Sequence, residues 1–370
     1  MRNLSDTVSR LAALRRQFLL NGGTGTGGQG RLSRLDAFGS NPGALAGWTY
    51  IPAELTDAAP LVVVLHGCTQ TAEGYDDAAG WSRMADHYGF ALLFPEQQRA
   101  NNPNLCFNWF VPDDCRRDRG EAHSIGQMIA SVIERHAIDP ARVYINGLSA
   151  GGAMTSVMLA TYPELFAGGA IIAGLSYDCA TTIPEAFDRM RGHGGPSTAQ
   201  LQSAIRSASS HRGRWPTISI WHGDNDRTVA SSNADAIVAQ WSGVHGLNET
   251  PSLDTQHSGY RRRVWTKAGR DVIEEYRIAG MGHGTPITTG DRIGDGRAAP
   301  FMLEATISST RTLVSSWGLT GTGATSPKNF RKPTTNPDYG GRRYDAPKST
   351  EVGGIRATIE TALRAAGLMR

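Results

Sequence analysis

A chain of 370 residues has room for one large α/β domain with additions, or for two ordinary domains. With 39% apolar and 19% charged residues its composition is that of a globular protein, and no stretch approaches the ~18 consecutive apolar residues of a membrane helix. The net charge of +3 is small and comes without the basic-aromatic motifs of a nucleic-acid module, although residues 320–370 hold nine Lys or Arg against four Asp or Glu.

Residues 1–20 place Leu4, Val8, Leu11, Leu14 and Phe18 at helical spacing, with Arg10, Arg15 and Arg16 between them. That predicts an amphipathic helix. A secretory signal needs a continuous apolar run of about 7–15 residues, and none is present here, so the sequence alone predicts a cytoplasmic protein. Residues 21–30, NGGTGTGGQG, read as a flexible glycine linker, and 1–45 together as an N-terminal extension.

The predicted body, residues 46–320, alternates short apolar runs with helical patterns. The runs fall at 61–65, 91–94, 143–146, 170–173 and 218–221, and helices are predicted at 76–88, 121–136, 150–162, 233–243 and 301–316. Continuous apolar strands with intervening helices predict an α/β fold, a mostly parallel sheet with helices on both faces. Runs at 261–266 and 272–278 read as a hairpin or two adjoining strands. Residues 180–215 carry Gly, Ser, His and Arg with little strand character, and are read as an insertion over the sheet and a candidate lid. Beyond the body, 320–350 is rich in Gly, Pro, Thr and Arg and reads as extended. A last helix follows with Ile355, Ile359 and Leu363 on one stripe, so 321–370 forms a predicted basic tail.

The four cysteines, Cys68, Cys106, Cys115 and Cys179, show neither a CxxC pair nor zinc spacing. Three pairings are open, and Cys106 and Cys115 are near enough in sequence to close a short loop. A disulfide would place the protein in an oxidising compartment, against the reading of the N-terminus.

Four segments carry chemistry. Gly147-Leu148-Ser149-Ala150-Gly151 is a G-x-S-x-G between a predicted strand and a predicted helix, the setting of a nucleophile elbow. His66-Gly67-Cys68-Thr69-Gln70 follows the run at 61–65. A turn there offers the amide of Cys68 as one oxyanion donor, with the amide of Ala150 as the other, and His66 is read as bracing the turn. Trp221-His222-Gly223-Asp224-Asn225-Asp226 follows another strand, and both Asp224 and Asp226 are candidates for an orienting acid. Gly280-Met281-Gly282-His283-Gly284 puts a histidine among glycines after the strand at 272–278. Serine is a poor nucleophile without a base in reach, and the chain order Ser, Asp, His is that of α/β-hydrolases. This chemistry requires no metal or organic cofactor. Gln70, Trp109 in the cluster Cys106-Phe107-Asn108-Trp109-Phe110, and Trp221 are candidate substrate contacts, Trp109 with core packing as the alternative.

Together the segments PLVVVLHGCTQ, CFNWF, IDPARVYINGLSAGGAM, FAGGAIIAGLSYDCA, WHGDNDRTV and GMGHGTPI resemble the poly(3-hydroxybutyrate) depolymerase-type esterases, α/β-hydrolases related to feruloyl and acetyl-xylan esterases. The resemblance covers about residues 48–320. It implies Ser149, Asp226 and His283 as a triad and the Cys68 and Ala150 amides as the oxyanion hole. It also implies hydrolysis of hydroxyalkanoate polyester, or of feruloyl or acetyl esters on polysaccharide. Many similar enzymes are extracellular. The tail of about 50 residues is too short for the linker and polymer-adsorption domain of secreted depolymerases, which points to amorphous polymer, oligomers or small esters. A non-catalytic protein binding a granule through its basic tail is the competing reading, and the intact Ser, Asp and His set disfavours it.

Overall fold

The computed structural model describes residues 30–248 and 250–320. The helix predicted over 1–20, most of the glycine linker and the tail over 321–370 lie outside the described residues. In chain order come β1 (Ser33–Arg34), β2 (Ala46–Tyr50), β3 (Ala59–Leu65), α1 (Ala72–Ala79), α2 (Trp81–Tyr88) and β4 (Ala91–Glu96). Then follow α3 (Gly120–Arg135), β5 (Ile138–Leu148), α4 (Ala150–Thr161), β6 (Gly168–Ile172), α5 (Ile183–Met190), α6 (Thr198–Ala208) and β7 (Thr217–Gly223). The remainder is α7 (Ser232–His245), β8 (Leu253–His257), β9 (Tyr260–Lys267), β10 (Arg270–Ile278), β11 (Thr285–Ile287), β12 (Met302–Glu304) and α8 (Ser309–Ser316).

Among the described residues one sheet has ten strands in the order β1-β2-β4-β3-β5-β6-β7-β10-β9-β8. Neighbours from β4 to β10 run parallel, and the flanking pairs are antiparallel. The expected hairpin is β9–β10. Strand β3 shows why the centre must be covered on both sides. Leu61, Val63 and Leu65 enter one core with α3, α4, α6 and α7, while Val62 and Val64 enter a second core with α1, α2 and α8. Side chains alternate along a strand, so a run apolar at every position needs two apolar partners. No described helix is long and apolar enough to cross a membrane.

Several boundaries differ from expectation. The sheet begins at Ser33, paired to Thr49, so part of the predicted N-terminal extension belongs to it. The helix predicted at 76–88 is two helices, α1 and α2, because Gly80 between them takes φ 78° and caps the first. The helix predicted from 301 starts at Ser309, after a turn and β12, with the Ser308 hydroxyl accepting from the Arg311 amide. Residues 180–215 hold α5 and α6, each opened by a capping box, Thr182 with Glu185 and Ser197 with Gln200. Leu201 and Ile205 of α6 are buried in the first core, which is the packing of a covering helix.

Candidate active site

The loops that follow β3, β5, β7 and β10 converge at the C-terminal ends of parallel strands, where open α/β sheets hold ligands. Ser149 sits between β5 and α4 with φ 58° and ψ −116°. From Val143 to Pro163 every residue is buried except Ser149, which is partly exposed. Its glycine neighbours answer to crowding. A Cβ on Gly147 would lie 2.4 Å from the Gly151 carbonyl oxygen, and one on Gly151 would lie 2.4 Å from the His66 carbonyl oxygen. The turn is thus sharp, and the loop after β3 packs directly on it.

His283 Nε2 lies 2.9 Å from Ser149 Oγ, and His283 Nδ1 lies 2.7 Å from Asp226 Oδ2. A carboxylate only accepts, so the imidazole proton sits on Nδ1 and the Nε2 lone pair faces the serine. Asp226 Oδ1 accepts from the amides of Thr228 at 2.8 Å and Val229 at 2.9 Å. Burial alone would raise this carboxyl, but the adjacent imidazoles, His222 at 3.4 Å and His283 through its hydrogen bond, outweigh it and hold Asp226 well below the usual carboxylate range. Asp224 is elsewhere. Its Oδ1 accepts from the Gly280 amide at 2.7 Å and ties the loop of Asp226 to the loop of His283. Gly223 makes the same junction possible, since a Cβ there would meet the Met281 carbonyl oxygen at 2.2 Å.

Ala150 is the first residue of α4, so its amide has no acceptor within the helix. In the loop after β3, the Thr69 amide donates to Asn104 O and the Gln70 amide to Gly67 O, while the Cys68 amide has no acceptor among the described residues. Both predicted oxyanion donors are therefore free beside the elbow. His66 is wholly buried, with Nε2 accepting from the Gln97 amide at 3.1 Å and Nδ1 donating to Gly67 O at 2.8 Å. Burial lowers its pKa, so it is a neutral brace of the turn. Gln97 extends that brace, donating from Nε2 to Cys106 O and to Glu121 Oε1, and Glu121 Oε2 accepts from the Asn108 amide. Burial, with Asp114 nearby, pushes Glu121 up to about 8.

The short loop suggested by Cys106 and Cys115 does not form. Cys106 is bonded to Cys68, in the same pair of loops that the Thr69–Asn104 hydrogen bond joins, and Cys115 and Cys179 are free and buried. Of the candidate substrate contacts, Gln70 is a brace. Its Oε1 accepts from the Gly67 amide at 2.8 Å and its Nε2 donates to Pro300 O at 3.2 Å. Trp109 is 8% exposed and packs in the first core against Phe110. Trp221 is corrected to a core residue: it is wholly buried, stacked 3.9 Å from Tyr276, with its indole N–H donating to Ser219 Oγ.

The family model described as "Esterase PHB depolymerase" matches residues 46–263, more than half of the chain. The chain belongs to this family. Over 293 residues it is 43% identical to poly(3-hydroxyalkanoate) depolymerase C of Paucimonas lemoignei, covering 78% of this chain and 70% of that protein. It is 29% identical over 273 residues to the acetylxylan esterase of Coprinopsis cinerea, 70% of each. Among solved structures, the acetyl xylan esterase from Aspergillus awamori superposes with a TM-score of 0.67 at 23% identity, over 78% of this chain and 100% of that one. The fold of this esterase is the α/β-hydrolase fold, and the enzyme is a serine carboxylic-ester hydrolase.

Two residues of the site escaped sequence reasoning. His222, wholly buried at the end of β7, points Nε2 at Val229 O, 2.9 Å away, and lies 3.4 Å from Asp226 Oδ2. Its signal is present in the sequence, four residues before Asp226 in the same motif. Phe301 lies with its ring 6.0 Å from the His283 ring at 76°. Its segment reads as the start of a helix, which hides it.

Proposed function

We propose that Ser149, His283 and Asp226 act as nucleophile, general base and orienting acid, and that this esterase hydrolyses 3-hydroxyalkanoate polyester or its oligomers. The observation that carries the mechanism is the unbroken line from Asp226 Oδ2 through both ring nitrogens of His283 to Ser149 Oγ, at 2.7 and 2.9 Å. Ser149 attacks the ester carbonyl as His283 Nε2 takes its proton. The developing oxyanion accepts from the Cys68 and Ala150 amides, an arrangement in which each donor is typically worth about 3–4 kcal/mol of barrier. His283 returns the proton to the leaving alcohol, and water then releases the acyl group by the same route. Asp226, ionised and buried, stabilises the imidazolium that forms at each step.

The polyester reading is supported by the 43% identity to the Paucimonas enzyme, against 29% to the acetylxylan esterase, which favours acetyl esters as the second reading. The test is release of soluble 3-hydroxybutyrate from amorphous polymer granules by wild type beside Ser149→Ala. Release by wild type alone supports both triad and substrate. If wild type leaves the granules intact yet deacetylates xylan, the second reading replaces the first. If Ser149→Ala remains active, the triad assignment is wrong.

A further inference from the structure

We propose that Phe301 is a specificity-determining residue of this esterase, forming the wall against which the alcohol portion of the ester packs. The inference rests on the reading of His283 as general base. Residues Ala299 to Met302 form a tight turn closed by the Met302 amide donating to Ala299 O at 2.9 Å, with Pro300 and Phe301 at its centre. Phe301 has φ 64°. In turns that need a positive φ after proline, glycine or asparagine is the favoured residue, and a bulky ring there is an outlier. Strain of this kind persists where the surroundings over-determine it, and it concentrates at functional sites.

The surroundings are specific. The Phe301 carbonyl accepts from the Thr285 amide at 2.7 Å, two residues beyond His283, and a Cβ on Gly284 would meet that carbonyl oxygen at 2.6 Å. The Pro300 carbonyl accepts from Gln70, the residue that also holds the loop bearing Cys68. One turn is thus fastened to both the histidine loop and the oxyanion loop, and the side chain it presents at the cost of backbone strain stands edge-on to His283. Phe301 is only partly buried and packs at the margin of the second core. His283 hands its proton to the leaving oxygen, so the group beside its ring meets the alcohol side of the ester. The acyl chain, bonded to the carbonyl carbon, extends away from that proton path.

The test uses the full chain and two series of esters followed by proton release at constant pH. One series holds the acyl group as butyrate and lengthens the alcohol from methyl to hexyl. The other holds the methyl alcohol and lengthens the acyl group. Phe301→Gly removes the ring while suiting the positive φ, and Phe301→Leu keeps apolar bulk. The expected result is that Phe301→Gly changes the ratio of kcat/KM between hexyl and methyl butyrate by roughly tenfold or more, Phe301→Leu changes it less, and the acyl-length ratios stay as in wild type. Equal loss across both series, a shift confined to the acyl series, or no shift would overturn the proposal. Ser149→Ala in parallel separates this from the triad reading, since activity surviving in that variant condemns the triad whatever Phe301 does.

Discussion

Replacing Asp226 by Asn tests the site at the point where hydrogen-bond accounting is tightest. Asp226 Oδ1 accepts from two backbone amides, Thr228 and Val229, which can only donate. The amide group of Asn must therefore turn its oxygen to them and its NH2 to His283 and His222. An NH2 beside His283 Nδ1 forces that nitrogen to accept, which moves the imidazole proton to Nε2 and points a donor at Ser149. His222 cannot relieve the clash cheaply, because its Nε2 proton serves Val229 O. The result is a nearly isosteric site holding the wrong tautomer, a change worth about 10⁴ in kcat in serine hydrolases, or ~5.5 kcal/mol of barrier. The assay is hydrolysis of a chromogenic butyrate ester, with circular dichroism confirming the fold. Asp224→Asn is the control, since its amide oxygen can still accept from Gly280, and it should stay near wild type. An Asp226→Asn enzyme within tenfold of wild type, or an inactive Asp224→Asn enzyme, would refute the reasoning.

Gly223→Ala drives a Cβ to 2.2 Å from the Met281 carbonyl oxygen, so it should separate the acid and histidine loops, cost about 1–3 kcal/mol of stability and lower kcat far more than it raises KM; a fully active, equally stable variant would exclude the close contact. Cys106→Ser frees a 38-residue separation, worth about 4 kcal/mol on the chain-entropy model, and releases the loop carrying the Cys68 amide. Chemical denaturation should show the loss and steady-state kinetics a fall in kcat. Glu121 titrates near 8 when folded against an ordinary 4.5, so folding favours its protonated form. That contribution is present below the unfolded value and disappears as pH rises through about 8, so Tm should fall across this window in wild type and less in Glu121→Gln.

What the sequence disclosed and what it withheld divide along physical lines. The central strands were legible because each is apolar at consecutive positions, as in β3, which only a doubly covered sheet explains. Ser149 and His283 were legible because glycines mark turns that place them after strands. Spacing alone does not separate Asp224 from Asp226, because two carboxylates two residues apart differ only in which way the loop turns them, and it is the family resemblance that selects Asp226. Helices α5 and α6 are not legible although both capping boxes stand in the sequence, since each is short and buries only one or two side chains, Ala186 in α5 and Leu201 and Ile205 in α6. Trp221 looked like a site residue by adjacency, yet the strand alternation that sends His222 toward Asp226 sends Trp221 into the other core. The Cys68–Cys106 bond depends on two loops meeting, which spacing along the chain does not encode.

The converging loops share a cost that the sheet makes bearable. Ser149, Thr69 and Phe301 lie on three separate loops and have φ of 58°, 66° and 64°, in the region L-residues avoid. Each such residue costs about 1–2 kcal/mol. Burying one aliphatic side chain of β3 is worth about 1.5–3 kcal/mol, and Leu61 to Leu65 are all buried to within 1%. Strain at the rim is therefore small beside the cover of the central strands, provided the loops stay short and anchored. They are anchored at both ends here, by the disulfide and Gln70 on the oxyanion side and by Asp224 and Gly223 on the histidine side. That arrangement explains why the reactive groups can rest on loops and still hold distances of 2.7 and 2.9 Å: the loops have few conformations left to visit once the strands that bear them are packed.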